Sequence, residues 1–309
     1  MIITVGDLVT DVLAVLRAPL ATGSDTPATV HVSGGGQAAN TAAWLAWLGQ
    51  PVTFVGAIGD DQAGQDRLAE LHAAGVRTQV SVRPGASTGS IVVLTYQSER
   101  TMISDRGANL LLAPSDVDAA IALGANHLHL SGYTLLDQAS RPAGRAALAS
   151  ARAAGLRTSV DAASAAPLAM LARDHGGSHP GDGSPAEIFP GFLDWIHNVD
   201  LLIANADEAQ ALAGYGDPGE QAAKLAYAIG GAAVVKLGAH GALWAGPEGL
   251  VHMPVEPVHV VDATGAGDAF AAGLLAAWSA GADVRTALNE GCRLGAHAVG
   301  LVGARPPVR

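Results

Sequence analysis

The sequence predicts an α/β fold, a mostly parallel sheet sandwiched by helices, with a small β-sheet lid added. Three observations carry that prediction. Short β-branched runs alternate with Ala- and Leu-rich stretches of helical period, the pattern of strand–helix–strand units. Several of the helical stretches close on glycine, the residue that best tolerates the left-handed end of a helix. With 309 residues, 49% of them hydrophobic and 15% charged, the chain can bury a full core and is globular rather than disordered.

In chain order, strands are expected at 2–6, 52–58, 127–130, 157–161, 201–204 and 233–237. Each is a short apolar run, too brief for a helix. Helices are expected at 37–48, 62–74, 115–123, 138–154, 207–213, 219–229, 266–280 and 284–299, where apolar residues recur at three and four. A strand-like apolar run also occupies 258–261. Two places break the alternation. Segments 11–16 with 29–33, and 89–96 with 101–105 across the polar turn 97–100, have hairpin spacing. They form either a small added sheet, with lid segments at about 11–33 and 88–106 of a single domain 1–309, or an edge extension of the main sheet. Val30, Val32, Ile91 and Val93 are expected to give that sheet an apolar face on which a second copy docks, making a homodimer through the lid. The Gly/Pro/His-rich stretch 174–191 has no periodicity and exceeds most loop lengths.

Charge narrows the partners. A formal net charge of −11 argues against a nucleic-acid groove or an anionic membrane surface. Lysine occurs only at Lys224 and Lys236, so a bound nucleotide must rely on backbone amides, arginine and a divalent metal. The one cysteine, Cys292, excludes an internal disulfide, and strand-like residues at the start leave no basic leader, so the expected compartment is the cytoplasm. The longest apolar stretch, near 269–282, is interrupted by glycine and shorter than the roughly 18–20 residues of a spanning helix.

The most informative run is Asp262-Ala-Thr-Gly-Ala-Gly-Asp268, which opens an apolar helix. Gly265, Ala266 and Gly267 keep side chains clear, so successive N–H groups and the positive end of the helix dipole can converge on a phosphoryl oxygen. A carboxylate costs affinity beside polyphosphate. Asp268 is therefore read as a proton acceptor for an attacking hydroxyl, which is kinase chemistry. The competing reading is a plain helix N-cap. A second glycine-rich run, Ser33-Gly-Gly-Gly-Gln-Ala-Ala-Asn40, is neither a Walker loop nor a dinucleotide fingerprint. Its glycines suit contact between a small polar ligand and backbone, and Asn40 offers a donor and an acceptor to a sugar hydroxyl. Asp11 can accept from two hydroxyls. Taken singly, Asp11 reads equally as a turn residue and Asn40 as a backbone cap.

Together these runs resemble the signatures of the ribokinase-like carbohydrate kinase family, the phosphofructokinase-B type, and the resemblance covers nearly the whole chain. Gly35-Gly36 with Asn40 matches one signature and 262–268 the other. Between them, in order, lie Arg106-Gly-Ala-Asn109, Asn205-Ala-Asp-Glu208 and Lys236-Leu-Gly-Ala-His-Gly241. The resemblance implies ATP-dependent phosphorylation of a sugar hydroxyl, with Asp268 as base and the amides of Gly265 to Asp268 as an anion hole. It implies sugar contacts from Asp11, Gly35, Gly36, Asn40, Arg106 and Asn109. Asn205 and Glu208 would organise Mg²⁺ through water, unless they are only an N-cap and a solvated glutamate. Lys236, Gly238, Gly241 and Thr264 would face the nucleotide. A K⁺ site would use Asp262, Thr264, Ala298 and Gly303, although Pro306-Pro307 stands where some members carry a hydroxyl.

The strand ending at Asp161 lacks the Asp-Pro-Asn run of fructokinases and ketodeoxygluconate kinases, so the sugar stays open. A nucleoside kinase of the same family and a non-catalytic sugar or nucleotide sensor on this fold are the alternatives. His127 and His129 alternate on a strand and His175 and His179 lie in the long loop, none at zinc spacing, which favours core or surface roles.

Overall fold

The computed structural model describes residues 1–97, 99–174 and 191–307. Residues 175–190 of the Gly/Pro/His-rich stretch, with His175 and His179, lie outside the described residues. In chain order the strands are β1 (Ile2–Val5), β2 (Val9–Leu16), β3 (Ala28–Gly35), β4 (Val52–Gly59), β5 (Arg77–Arg83), β6 (Gly89–Tyr96) and β7 (Glu99–Asp105). They continue as β8 (His127–Ser131), β9 (Arg157–Asp161), β10 (Leu201–Asn205), β11 (Ala232–Lys236), β12 (Ala242–Gly246) and β13 (Gly249–Met253). The helices are α1 (Gln37–Trp47), α2 (Gln62–Ala73), α3 (Pro114–Ile121), α4 (Tyr133–Leu136), α5 (Arg141–Ala153) and α6 (Ala165–Asp174). They end with α7 (Phe192–Trp195), α8 (Ala206–Ala213), α9 (Pro218–Ile229), α10 (Ala266–Ser279) and α11 (Val284–Ala298).

Nine strands form the main sheet in the order β13-β12-β11-β10-β9-β8-β1-β4-β5. All neighbours are parallel except the β11–β12 and β12–β13 pairs. Side chains alternate across it. On β1, Ile3 and Val5 join the apolar cluster packed under α3, α5, α8 and α9, while Ile2 joins the one under α1, α10 and α11. Burial on both faces is what makes the strands read as continuous apolar runs rather than alternating ones.

The expected strands and helices stand within about two residues, with differences that have local causes. The expected 138–154 helix starts three residues late, as α5 at Arg141, because Pro142 suits the first turn of a helix and not an interior position, and the short α4 before it was not expected. Strand β5 was not expected; its polar–apolar alternation is that of an edge strand with one wet side. The β12–β13 hairpin turns on Gly-Pro-Glu-Gly. The 258–261 run is not a strand: Val258, Val260 and Val261 are about half exposed and pair with no neighbouring strand. Their β-branched composition favours extended backbone, but the Val261 N–H is bonded to the Val299 carbonyl at the end of α11 at 2.8 Å and not to a strand.

The second sheet exists apart from the first, in the order β3-β2-β6-β7. Both expected hairpins form, and β2 and β6 join them in parallel. The expectation of one apolar face containing Val30, Val32, Ile91 and Val93 is corrected by the register. Val12 opposes Val32 and Val92, and Val92 opposes Ile103, so Val30, Val32 and Ile103 share one face and are 57%, 63% and 58% exposed. Ile91 and Val93 lie on the opposite face with Asp11, where Val93 is 4% exposed.

This small sheet is tethered by Asn109. Its Oδ1 accepts from the Leu8 N–H at 3.0 Å, and its Nδ2 donates to the carbonyls of Leu8 and Arg106 at 3.1 and 2.9 Å. Both amide protons are spent inside a buried pocket, so the expected sugar contact from Asn109 is corrected to a structural tie between the β7 exit and the β1–β2 turn. Asn109→Ala leaves buried backbone groups without partners and is expected to cost about 1–3 kcal/mol. Urea unfolding of the variant and the parent measures it.

Candidate active site

The main sheet changes direction of growth at β1, with β4 and β5 on one side and β8 to β11 on the other. Such a reversal opens a crevice at the carboxyl ends of the strands. Polar residues stand there at the ends of apolar runs: Asp7 after β1, Ser131 closing β8, Asp161 closing β9, Asn205 closing β10 and Lys236 closing β11. Gln37, opening α1, ties them together. Its N–H donates to Asp7 Oδ2 at 3.1 Å and its Nε2 to Asp161 Oδ1 at 2.8 Å. Ser131 Oγ lies 2.7 Å from Gln37 Oε1 and 3.0 Å from Asp7 Oδ1. Lys236 Nζ completes the row on Asp161 Oδ2 at 2.9 Å.

Helix α10 begins above this row. Gly265 is its N-cap with φ 73°, and a Cβ there would strike the backbone of Ala304. The N–H groups of the first turn, through Asp268, have no intrahelical acceptors. Asp268 is the third helical residue, not the cap, and its Oδ2 accepts from Asn40 Nδ2 at 2.8 Å. Lys236 Nζ sits beside Gly267, 3.3 Å from where a Cβ would be. Removal from water pushes the Asp268 carboxyl up to about 8; the Asn40 amide opposes the shift, Asp161 and Asp7 add to it, and Lys236 offsets part. Burial works against the Lys236 ammonium, but Asp161 and Glu208 outweigh it and raise its pKa.

Asn205 and Glu208 form a reciprocal capping box at the start of α8. Glu208 accepts from the Asn205 N–H and Nδ2, both at 2.7 Å, and donates its own N–H to Asn205 Oδ1 at 2.8 Å. The cap reading is right, but the glutamate is not solvated. Glu208 is 3% exposed, and burial pushes its carboxyl up to about 7 against the pull of Lys236.

On the small-sheet side, Asp11 lies against Gly35, where a Cβ would collide with its carboxylate. A Cβ on Gly36, φ 100°, would collide with the Asp7 carbonyl. The demand for glycine here thus comes from the protein's own groups as well as from any ligand, which corrects the simpler sequence reading. Arg106 reaches toward the crevice: its guanidinium lies 4.5 Å over the Tyr133 ring and its Nη1 is 3.8 Å from Asp7 Oδ2. On the other side of α10 a cleft of about 480 Å³ is lined by Asn205, Lys236, Gly238, Gly241, Gly267 and Phe270, with Val258 and Val260 at its rim. Two residues of the run expected as a strand thus line this cleft. The Asp262 carboxylate accepts from the N–H groups of Thr264 and Gly303, both at 2.9 Å, joining the α10 entrance to the C-terminal loop. Ala298 comes near through the same turn, its carbonyl accepting from the Leu301 N–H at 2.9 Å.

The structure therefore brings Asp268, Asn40, Lys236 and the α10 start together, with Asp11 and Arg106 on one flank and Asn205 and Glu208 on the other. Sequence reasoning missed Asp7, Asp161, Gln37 and Arg305. The first two carried a usable signal, a carboxylate ending an apolar strand of a parallel sheet. His127 and His129 are core residues that share the Ser159 hydroxyl at 2.7 and 2.8 Å, and no group of three metal-ligating side chains exists among the described residues.

The family model described as pfkB family carbohydrate kinase matches residues 1–309. An ATP-dependent ribose-1-phosphate kinase of Halopiger xanaduensis is 31% identical over 298 residues, 95% of this chain and 89% of that protein. The crystal structure of adenosine kinase from Sinorhizobium meliloti superposes with a TM-score of 0.83 at 26% identity, covering 99% of this chain and 96% of its own. A putative Ribokinase II from E. coli, solved in complex with ATP and Mg²⁺, superposes with a TM-score of 0.82 over 100% of this chain and 95% of its own; at 24% identity it speaks for the fold alone.

Keeping a carboxylate in this crevice opposes folding. An unfolded aspartate titrates near 3.8 and the folded Asp268 near 8, so across that window the unfolded chain ionises while the folded one holds its proton. Stability drawn from the protonated form is present below pH 3.8 and lost as pH rises toward 8. Asp268→Asn is expected to raise the melting temperature at pH 8, with the gain shrinking toward pH 4. Calorimetric melts at the two pH values check the sign.

Proposed function

The chain belongs to the pfkB family of carbohydrate kinases, and from that premise we propose that Asp268 is the base of an ATP-dependent phosphoryl transfer to a hydroxyl of a small sugar in the cytoplasm. One observation carries the assignment. A carboxylate whose proton affinity is raised by burial stands three residues into a helix whose first-turn amides have no acceptor within the helix, and it is held by an amide from the opposite glycine-rich run. Once ionised, such a group is a better proton acceptor than an exposed aspartate. The sugar hydroxyl gives its proton to Asp268 as its oxygen attacks the γ-phosphorus, and the bond to the ADP oxygen breaks. The amides of Gly265 to Asp268 receive the charge on the transferring group, with the Lys236 ammonium alongside.

Asp11, Asn40, Arg106 and the Gly35–Gly36 backbone would hold the sugar, and Gly238, Gly241 and Thr264 the nucleotide. The donor set near the phosphates is one buried carboxylate and one amide, Glu208 and Asn205, each already bonded to the other. That fits Mg²⁺ held through water, an ion that keeps much of its hydration; when bound it would neutralise phosphate charge. A K⁺ ion would take carbonyl oxygens of the loops that Asp262 joins, at Asp262, Thr264, Ala298 and Gly303. The adenosine kinase likeness supports a nucleoside acceptor as a second reading, and an ADP-release screen over pentoses, sugar phosphates, sugar acids and nucleosides separates the two.

The exposed Val30, Val32 and Ile103 face supports a homodimer through the small sheet, with the Asp11 face closing over the sugar. Val32→Glu is then expected to convert dimer to monomer in light scattering at micromolar concentration; a monomeric parent removes this part of the proposal. Asp268→Asn is expected to lose about 10²-fold or more in kcat while ATP binds as well at neutral pH and slightly better above about pH 8, where the parent carries a charge that repels phosphate. Coupled-enzyme kinetics and ATP calorimetry check both, and near-parental turnover would overturn the assignment.

A further inference from the structure

Arg305 lies outside every motif, yet its guanidinium is fixed at three points from three elements. Nε donates to Asn40 Oδ1 on α1 at 3.1 Å, Nη1 to Glu70 Oε2 on α2 at 3.1 Å, and Nη2 to the Gly35 carbonyl at the end of β3 at 3.0 Å. The side chain is 13% exposed. Its seat is prepared, since any Cβ on Gly34 would collide with the guanidinium and with the Glu70 carboxylate. Glu70 is in turn held by Arg67 at 2.5 Å.

An arginine has donors and no acceptor, so the end of the Asn40 amide that faces it must be the oxygen. The other end, the NH₂, is thereby turned to Asp268 Oδ2 at 2.8 Å. A freely turning amide could present its oxygen instead and accept a proton from the neutral carboxyl, stabilising the acid form. We propose that Arg305 is a positioning residue for the phosphoryl transfer: by fixing which end of Asn40 faces Asp268, it sets that carboxylate as a proton acceptor. This rests on Asp268 being the base. Asp161, Lys236 and Asp7 are the charged groups that act most on Asp268, and the Arg305 charge also acts on it directly, a contribution that the Asn40→Ala background separates from the route through the amide.

The test follows the Asp268 carboxyl itself by ¹³C NMR in protein labelled at aspartate, the resonance being assigned by its disappearance in Asp268→Asn. Arg305→Met is expected to move the titration midpoint up by about one pH unit, a tenfold gain in proton affinity. Arg305→Lys keeps the charge but cannot fork between Asn40, Glu70 and Gly35, and it is expected to move the midpoint the same way if the Met variant folds poorly. In an Asn40→Ala background, Arg305→Met is expected to change the midpoint less than about twofold in proton affinity, because the amide it acts through is gone. An unmoved midpoint in both single variants overturns the proposal. So does an equal shift with and without Asn40, which would make Arg305 a distant charge. Turnover of Asp268→Asn decides separately whether that residue is the base.

Discussion

Everything in the site depends on bringing two helix starts, 228 positions apart in sequence, within one hydrogen bond of each other through Asn40 and Asp268. The helices can do this because they pack side by side on one face of the sheet. Both helices carry small residues into the same apolar cluster, Ala38, Ala39 and Ala42 on α1 and Ala269, Ala271 and Ala272 on α10, all essentially inaccessible. Small side chains let the axes approach, and the Ala-rich composition that looks featureless in the sequence is what permits it. Sheet geometry supplies the rest. Strand β1, which leads toward α1, lies at the reversal of strand order, so the crevice falls between the chain's first and last thirds.

The crevice is electrostatically unbalanced. Asp7, Asp161, Asp268 and Glu208 gather at it, against Lys236, Arg106 and Arg305. The imbalance is handled by specialisation. Asp161 takes Lys236 and two further donors, and Asp7 takes the Gln37 N–H. Asp268 keeps only an amide. The carboxylates that take several donors serve as scaffold, and Asp268, buried with a single neutral donor, is left with a raised proton affinity. A buried ion pair such as Lys236–Asp161 adds little to stability once both desolvation costs are counted. Its evident contribution here is to keep one cation directly beneath the α10 amides.

Much of this was legible. The strand and helix alternation gave the layers because both sheet faces are buried, and the 262–268 run pointed to the proposed base because glycine and carboxylate together have few other uses at a helix start. What stayed hidden depends on partners far away in sequence. Asn109 looked like a ligand-binding amide, and only the fold reveals that Leu8 consumes it. The face assignment of Val93 turns on a one-residue register that no composition reports. The run 258–261 has strand composition and lacks a neighbour. Arg305 had no signal, since its meaning lies wholly in three distant acceptors.

The C-terminal loop thus does more than follow the last helix. The Ala304 carbonyl accepts from Trp44 Nε1 at 3.0 Å, fixing the loop to α1, while its backbone fills the space that the missing Cβ of Gly265 leaves at the α10 start. Gly303, one residue earlier, is bonded to Asp262, and Arg305, one residue later, to Asn40. Three consecutive residues therefore touch α1, the α10 entrance and Asn40, the hydrogen-bond partner of Asp268. A displacement of this loop would act on the amides at the α10 start and on Asn40 together, because the same short segment holds both. Position 265 requires glycine for that reason: its left-handed backbone and its lack of a Cβ let helix start and loop meet backbone to backbone.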